Sequence, residues 1–295
     1  MEWCLAVDVG GTKLAAGLVA ETGALAAARS VPTPDTADPE VLFGVLSGLV
    51  GEVMAEIPAG GAVSACGVGC GGPMTPRGEA VSPLNIPAWR DFPLRARLQE
   101  ATGLPTAVDN DAKALALGEG WRGAARGRRD FMAMVVSTGV GGGIVLDGRL
   151  LQGATGNAGH VGHVIVEPDG RPCACGASGC LEAEASGTAI AATTGRPAAE
   201  ATPAVVERTG TLVGRAVASV VALLDLELVA VAGAVALGFG APFFDAAGRE
   251  LQARARLDYA RSALIVPAAL GPAGGLVGAG ALGWLGSGRD LPERA

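Results

Sequence analysis

The order of apolar and polar positions along the chain predicts strands, glycine-rich turns and amphipathic helices. An apolar run at 5–9 ends in Gly10-Gly11-Thr12-Lys13, and two more strand-like segments follow at 14–20 and 24–29. This order predicts strand, tight turn, strand, turn and strand. Apolar residues recur at helical spacing over 39–57, which predicts the first helix.

The next segments repeat the alternation of strands and helices. Strands are predicted at 63–68 and 106–108, and helices at 94–102 and 112–121. The strand at 63–68 runs into Gly69-Cys70-Gly71-Gly72-Pro73, a loop that a helix would not tolerate.

After the basic stretch 122–129 the opening pattern returns. A strand at 131–137 leads into the glycine run 138–143, which is interpreted as a turn, and a second strand follows at 144–146. This repeat of organisation predicts two domains with two phosphate loops facing one cleft. The predicted domains are 1–120, joined by a C-terminal helix at 275–295, and 121–274.

The remaining pattern is mainly helical. Helices are predicted at 181–194, 203–224, 240–259 and 275–285, with buried strands at 228–232 and 264–266. The uncharged stretch 262–288 contains Pro267, Pro272 and a Gly-Pro turn, so a strand, a turn and a helix explain it better than a membrane span.

Composition and charge narrow the possible partners. The 295 residues are 49% hydrophobic and 17% charged, which is a globular composition, and the net charge is -7. An acidic chain argues against nucleic acid as the main partner, since binding its backbone needs a basic face. No signal peptide is visible at 1–4, and cysteines 4, 66 and 70 lie in apolar runs, so a reducing, cytoplasmic compartment is expected.

Two glycine loops are candidates for binding phosphate. Glycines after a strand let backbone N–H groups approach phosphate oxygens closely, and Thr12 and Lys13 could reach them too. Asp8 at the strand end could hold Mg²⁺ through water. Each loop alone could be an ordinary hairpin turn, but the presence of two, the second at Thr138 to Gly143, favours phosphate binding.

Asp109-Asn110-Asp111 lies between a strand and a helix. Asp and Asn are preferred helix N-caps, which explains the triplet without any function. A carboxylate at the carboxyl end of a strand is also well placed to take a proton from a substrate hydroxyl. Both interpretations hold if one residue caps the helix and Asp111 serves as the base.

The four side chains with the strongest chemical signal are His163, Cys173, Cys175 and Cys180. One imidazole and three thiolates satisfy tetrahedral Zn²⁺, and a full set of protein ligands predicts a structural metal. A disulfide interpretation would leave one cysteine over. Glu182 and Asn85 are ambiguous: Glu182 could be an exposed acid in the first turn of a helix or could accept hydrogen bonds from a polyol, and Asn85 could fill a loop or bind a hydroxyl.

Taken together, these motifs resemble the ROK family (repressors, open reading frames, kinases) of the actin-like, ribonuclease H-like sugar kinase superfold. The resemblance covers nearly the whole chain and rests on Asp8 to Lys13, Gly67 to Pro73, Asn110 to Ala114, Thr138 to Gly143, Ala158 to His163 and Cys173 to Glu182. It implies an α/β fold of two domains with an intervening cleft, which binds ATP and Mg²⁺ between the two phosphate loops.

The resemblance also implies roles for individual residues. Asp111 would deprotonate the sugar 6-hydroxyl for attack on the γ-phosphate, and His163 would bind both zinc and sugar. The implied sugar contacts are Asn85, Asn110, Asp111, His160, His163 and Glu182. The implied nucleotide contacts are Asp8, Gly10, Gly11, Thr12, Lys13, Thr138, Gly139 and Gly233, where Ala232-Gly233 replaces the usual Gly-Gly pair. A homodimer or homotetramer is expected, with no membrane partner.

His160 is the departure that bears most on the substrate. Glucokinases of the family carry Glu there; a carboxylate only accepts hydrogen bonds, whereas a neutral imidazole offers one donor and one acceptor. The Ala-Gly-His-x-Gly-His form resembles that of bacterial N-acetylmannosamine kinases, so glucose and N-acetylmannosamine are both candidate substrates.

Two other functions compete with a kinase. A sugar-responsive repressor of this family needs a DNA-binding region before the first phosphate motif, and Asp8 leaves only seven residues ahead of it. A sugar-binding regulatory protein with weak or no kinase activity is suggested by His160, but Asp8, Thr138 and Asp111 argue against it.

Overall fold

The structure, a computed structural model, describes residues 1–291 and divides into two compact units. The first comprises Met1–Gly127, Leu150–Ala158 and the chain from Leu270 onward, and the second comprises Arg128–Arg149 and Gly159–Ala269. The chain therefore passes between the units four times, after Gly127, Arg149, Ala158 and Ala269.

The first unit is built on a five-stranded mixed sheet. Its strands are β1 (Glu2–Val9), β2 (Lys13–Ala20), β3 (Leu25–Pro32), β4 (Ala62–Cys70) and β5 (Thr106–Asn110), in the order β3-β2-β1-β4-β5. Strands β1, β4 and β5 are parallel, and their register places Asp8 beside Gly69 and Gly69 beside Asp109. The carboxyl ends of these strands therefore bring the predicted acidic groups to one edge of the sheet.

Four helices cover this sheet: α1 (Pro39–Met54), α2 (Leu94–Thr102), α3 (Asp111–Arg122) and α9 (Gly274–Gly286). Helices α3 and α9 pack closely because glycines meet at their contact, where a Cβ on Gly118 would lie 3.0 Å from the Cα of Gly278. The predicted C-terminal helix 275–295 is present as α9, and residues 292–295 lie outside the described residues.

The second unit also has a mixed sheet, of order β10-β9-β6-β7-β8. Its strands are β6 (Phe131–Val136), β7 (Val140–Leu146), β8 (Arg149–Leu150), β9 (Leu228–Ala232) and β10 (Leu264–Pro267). The prediction that all of 138–143 forms a turn is wrong, because Val140 to Gly143 pair with β6. The turn is shorter, and Ser137 N donates to Gly139 O across it at 2.9 Å.

Helices of the second unit are α4 (Leu181–Ala185), α5 (Gly187–Thr194), α6 (Pro203–Leu224), α7 (Ala234–Phe239) and α8 (Ala241–Arg254). The predicted single helix at 181–194 is interrupted, because Ser186 has extended backbone and caps α5, its hydroxyl accepting from Ala189 N at 3.1 Å. The predicted helix at 240–259 ends at Arg254. The helix predicted at 203–224 is confirmed.

None of the helices in the described part of the chain combines the length and apolar character that crossing a bilayer requires. The stretch 262–288 contains β10 and α9, as the sequence predicts.

Candidate active site

The first glycine loop joins β1 to β2 directly after Asp8. Gly10 N donates to Lys13 O at 3.0 Å and closes the turn, and the Thr33 hydroxyl donates to Gly10 O at 2.7 Å. Thr12 and Lys13 are exposed. These hydrogen bonds fix the backbone of the loop, while Thr12 and Lys13 stay accessible.

Asn85 lies against this loop. A Cβ on Gly11 would come within 2.6 Å of the Cβ of Asn85, so only glycine allows the loop and Asn85 to approach this closely. The structure therefore brings together a predicted nucleotide contact and a predicted sugar contact that are 74 positions apart in the chain.

Two of the three polar residues at the β5–α3 junction share one hydrogen-bond donor, the backbone N–H of Ala112. Asn110 is the N-cap of α3, and its Oδ1 accepts from Ala112 N at 3.0 Å. Asp111 Oδ1 accepts from the same N–H at 2.8 Å. The capping prediction is confirmed for Asn110, and the Asp111 carboxylate is held by one oxygen.

Asp8 lies close enough to Asp111 for the charge of Asp111 to affect its pKa. A Cβ on Gly69 would lie 3.3 Å from Asp111 Cα and 3.7 Å from Asp8 Oδ1, which places the two acids on either side of this glycine. Burial, and next the charge of Asp111, raise the pKa of Asp8 to about 7. Burial also raises the pKa of Asp111, although the Ala112 N–H opposes the shift.

Asp109 belongs to a buried polar network that the sequence analysis missed. Its Oδ1 lies 3.2 Å from Lys113 Nζ, and its Oδ2 accepts from Gln152 Nε2 at 3.1 Å. Lys113 Nζ also donates to Gln152 Oε1 at 2.7 Å and to Gly156 O at 2.5 Å. The sequence pattern did not indicate this pair, because Asp109 lies in β5 and Lys113 in α3, and the i,i+4 rule applies within one helix. Nothing in the pattern indicated Gln152 either.

This network attaches the segment Leu150–Ala158, which we call the strap, to the first unit. Asn157 attaches its far end, with Nδ2 donating to Met74 O at 3.0 Å and Oδ1 accepting from Met74 N at 3.3 Å. The strap leads directly to Gly159 and His160. Specific hydrogen bonds therefore fix the end of the strap that directly precedes the predicted sugar-contacting histidines.

In the second unit, the turn between β6 and β7 carries Thr138 and Gly139. Thr138 O accepts hydrogen bonds from the Thr188 hydroxyl at 2.9 Å and from Thr188 N at 3.3 Å. Gly233, at the end of β9, has φ of 101° and packs against the backbone of Val136, a geometry that a side chain would disrupt. The predicted nucleotide contacts of this unit thus lie at the ends of neighbouring strands.

Glu182 is bonded to this turn. Its Oε2 accepts from Val140 N at 2.8 Å, a partner that no sequence pattern indicates. The residue stands in the first turn of α4, two positions after Cys180.

The cluster of His163, Cys173, Cys175 and Cys180 is assembled in the structure. Their ligand atoms all lie within 4.8 Å of one another, with Cys173 Sγ 3.7 Å from His163 Nδ1 and Cys175 Sγ 3.7 Å from Cys180 Sγ. A tetrahedral zinc with Zn–S bonds of about 2.3 Å separates its sulfurs by about 3.8 Å, so the donor set and spacing fit such an ion. None of the six cysteines, all in the described region, forms a disulfide.

His160 and His163 stand on a short 3-10 turn with ring centroids 6.0 Å apart. Because Nδ1 of His163 faces Cys173, its Nε2 remains for a second partner. His160 is partly exposed. The predicted metal and sugar contacts therefore share one loop in the second unit.

Comparisons with known proteins agree with these motifs. A model described as the ROK family matches residues 4–284. The chain is 38% identical over 251 residues to an N-acetylmannosamine kinase from Escherichia fergusonii, covering 80% of this chain and 84% of the relative.

Two solved structures extend the similarity. One is a ROK family glucokinase from Streptomyces griseus in complex with glucose and AMPPNP, with 30% identity, a TM-score of 0.84 and coverage of 96% of this chain and 99% of that chain. The other is a ROK hexokinase from Thermus thermophilus, with 34% identity, a TM-score of 0.80 and coverage of 97% and 99%. The family model and these relatives show that the chain belongs to the ROK family.

Proposed function

We propose that this ROK family sugar kinase transfers the γ-phosphate of ATP to the 6-hydroxyl of a hexose or N-acetylhexosamine, with glucose and N-acetylmannosamine as the candidate substrates. The observation that carries the proposal is the Asp111 carboxylate, with one oxygen bonded to Ala112 N and a pKa raised by burial. These features suit a general base whose orientation is fixed before the substrate binds.

Asp111 acts on the sugar hydroxyl. Its Oδ1 is held by the start of α3, which leaves Oδ2 to accept the proton of the 6-hydroxyl. The hydroxyl oxygen then bonds to the γ-phosphorus as the bond from that phosphorus to the β,γ-bridging oxygen breaks, and ADP leaves. A raised pKa makes this carboxylate a stronger base than an exposed aspartate. Catalysis of phosphoryl transfer consists mainly of positioning and charge stabilisation, so this orientation is a direct contribution.

The nucleotide contacts are proposed from both glycine loops. Asp8, Gly10, Gly11, Thr12 and Lys13 contribute from the first unit, and Thr138, Gly139 and Gly233 from the second. Asp8 would hold Mg²⁺, and a dication there fits because burial, and next the charge of Asp111, raise the pKa of Asp8 in its absence. When bound, Mg²⁺ neutralises charge on the transferred phosphate.

The sugar is proposed to contact Asn85, Asn110, Asp111, His160, His163 and Glu182. Hydroxyl groups both donate and accept, so a set of amide, imidazole and carboxylate groups can satisfy several of them. His160 supplies the donor that a glutamate would lack, and we assign the choice between glucose and N-acetylmannosamine to this position. The 38% sequence identity to an N-acetylmannosamine kinase supports keeping N-acetylmannosamine as a candidate substrate.

Zinc is proposed as a structural ion held by His163, Cys173, Cys175 and Cys180. Four protein ligands leave no position for substrate or water, so the ion fixes the loop that carries His163. The oligomeric state, a homodimer or homotetramer, stays a prediction. The reducing, cytoplasmic compartment and the absence of nucleic acid and membrane partners also stay predictions.

A coupled assay of ADP release over glucose, mannose, fructose, N-acetylglucosamine and N-acetylmannosamine tests the function. We expect one or two sugars to dominate and Asp111→Asn to reduce kcat at least 10³-fold, about 4 kcal/mol in the barrier, while sugar binding stays measurable by calorimetry. Asp245→Asn, on the exposed face of α8, is the matched control and should keep full activity. Full activity of Asp111→Asn would refute the assigned base, and calorimetric sugar binding without turnover of any sugar would favour the regulatory alternative.

A further inference from the structure

The Glu182 carboxylate is bonded to the phosphate loop of its own unit. Oε2 accepts from Val140 N at 2.8 Å, and Oε1 accepts no hydrogen bond from the described residues. Val140 is 7% exposed, so water cannot easily replace this acceptor. One oxygen of Glu182 is therefore committed to the loop and the other is available.

The loop is shaped to admit this carboxylate. A Cβ on Gly139 would lie 2.7 Å from Glu182 Oε2, so a side chain at this position would push the oxygen away from Val140. On the other side, Gly187 N donates to Ser137 O at 2.7 Å and the Thr188 hydroxyl donates to Thr138 O at 2.9 Å. Segment 182–188 thus holds the turn from both ends.

The loop that carries the Cys3His cluster also fixes the position of Glu182. It follows the ligand Cys180 by two residues, and Leu181 N donates to Val164 O at 2.9 Å, next to His163. The position of the Glu182 backbone therefore depends on the same residues that form the Cys3His cluster.

We propose that Glu182 is a positioning residue for the nucleotide as well as a sugar contact. Its Oε2 holds the backbone of Thr138 to Val140 in the conformation that binds phosphate, while its Oε1 faces the sugar. The inference rests on the proposed function, since it assigns a second task to a residue of that same site. It predicts that removing the acceptor at position 182 weakens nucleotide binding even when no sugar is present.

Substitutions at Glu182 separate the two tasks. Glu182→Ala removes the acceptor, and Glu182→Asp withdraws it by one methylene group, so both leave Val140 N–H unsatisfied. Glu182→Gln keeps a carbonyl oxygen for Val140 and changes only the group offered to the sugar. The exposed Glu200→Ala in the same unit controls for the loss of a negative charge.

The experiment measures Kd for the Mg²⁺ complex of AMPPNP by calorimetry without sugar. We expect roughly tenfold weaker binding for Glu182→Ala and Glu182→Asp, and values within about twofold of wild type for Glu182→Gln and Glu200→Ala. The KM for sugar should rise in all three Glu182 variants. Zinc content and thermal midpoint are measured for each protein, because general damage to the loop would lower both.

Wild-type nucleotide affinity in a folded, zinc-loaded Glu182→Ala or Glu182→Asp protein would overturn the inference. An equal loss in Glu182→Gln would also overturn it, because that variant keeps the acceptor. Failure of the wild-type protein to bind AMPPNP would instead count against the proposed function. Should the alanine variant not fold, the comparison of Glu182→Asp with Glu182→Gln decides the question.

Discussion

Lys113 Nζ lies 3.2 Å from Asp109 Oδ1, and the two residues are 0% and 7% exposed. Asp109 lies in β5, two positions before the proposed base Asp111, and Lys113 lies in α3, two positions after it. Both groups are further satisfied by Gln152 of the strap, so the pair connects the β5–α3 junction to a segment about 40 positions later in the chain. Burying an ion pair of this kind costs little folding free energy only while both charged groups keep their hydrogen-bond partners.

Lys113→Met is expected to destabilise the first unit by about 3–5 kcal/mol, because it leaves the Asp109 carboxylate buried without its cation. All four tryptophans, at positions 3, 89, 121 and 284, belong to this unit, so tryptophan fluorescence during urea unfolding measures its stability. The double variant Asp109→Asn/Lys113→Met should recover part of the loss. Arg29→Met, which breaks an exposed pair with Glu56 in the same unit, is the control, and an equal effect of Lys113→Met and Arg29→Met would refute the argument.

The stability of the first unit should fall as the pH rises from about 4 to 7 in protein free of nucleotide and Mg²⁺. The pKa of Asp8 is about 7 in the folded chain and about 3.9 when unfolded. Between these values the folded state binds more protons than the unfolded state, so raising the pH favours unfolding. The loss contributed by Asp8 is roughly 2–4 kcal/mol and is complete above pH 7.

Asp8→Asn should reduce this slope and leave the part that the raised pKa of Asp111 contributes, and tryptophan fluorescence in urea at several pH values measures both. Mg²⁺ should also reduce the slope in the wild-type protein, if Asp8 holds the ion as proposed. Parallel stability profiles for wild type and Asp8→Asn would contradict the assignment of the titration to Asp8.

Removal of the metal by a chelator should expose the Cys3His cluster to alkylation in a defined order. Cys175 is exposed, and the hydrogen bond from Ala177 N, followed by that of Cys173, lowers its pKa, so it should react first. Burial and the neighbouring thiols raise the pKa of Cys180 to about 12, so it should react last of the three.

Mass spectrometry of peptides after timed alkylation measures this order, and elemental analysis should give one zinc per chain before chelation. Cys175→Ser should lose most of the metal, whereas the buried Cys66→Ala should keep it. A Cys175→Ser protein with full zinc content would show that these four residues are not the ligand set.

His160→Glu should shift substrate preference toward glucose. A carboxylate cannot donate a hydrogen bond, so any group of N-acetylmannosamine that accepts from the imidazole would lose its partner. We expect the ratio of kcat/KM for N-acetylmannosamine to that for glucose to fall at least tenfold, or about 1.4 kcal/mol. His160→Gln retains a donor and an acceptor and should fall between the two, and an unchanged ratio in His160→Glu would move the specificity determinant elsewhere.

Much of the fold could be predicted because local patterns determined it. The α6 helix has its predicted bounds since its apolar positions repeat at helical spacing and proline begins it. The break at Ser186 was missed because a serine followed by glycine interrupts no apolar period, and the cap depends on a hydroxyl that reaches Ala189 N. The strand at Gly141 to Gly143 was missed because its pairing with β6, and not its residue types, makes it a strand.

For the candidate site, the sequence indicated residue types and left their partners unknown. The metal-type cluster was predictable because only a few chemistries need one histidine and three cysteines at such spacing. The bond from Val140 N to Glu182 and the contact of Gln152 with Lys113 join residues about 40 positions apart. Such pairs leave no periodic pattern in the sequence, since they form only when separate elements pack together.

The strap has a consequence for the protein's gene. Leu150–Ala158 is encoded between two segments of the second unit but packs with the first. A gene fragment that ends after the codon for Gly127 would encode an incomplete first unit. That product would lack α9, and it would lack Gln152, the residue that satisfies Lys113 and Asp109. No single cut in the reading frame therefore yields either unit complete. Recombination that exchanged one unit between related genes would need four crossover points, which favours inheritance of the two units together.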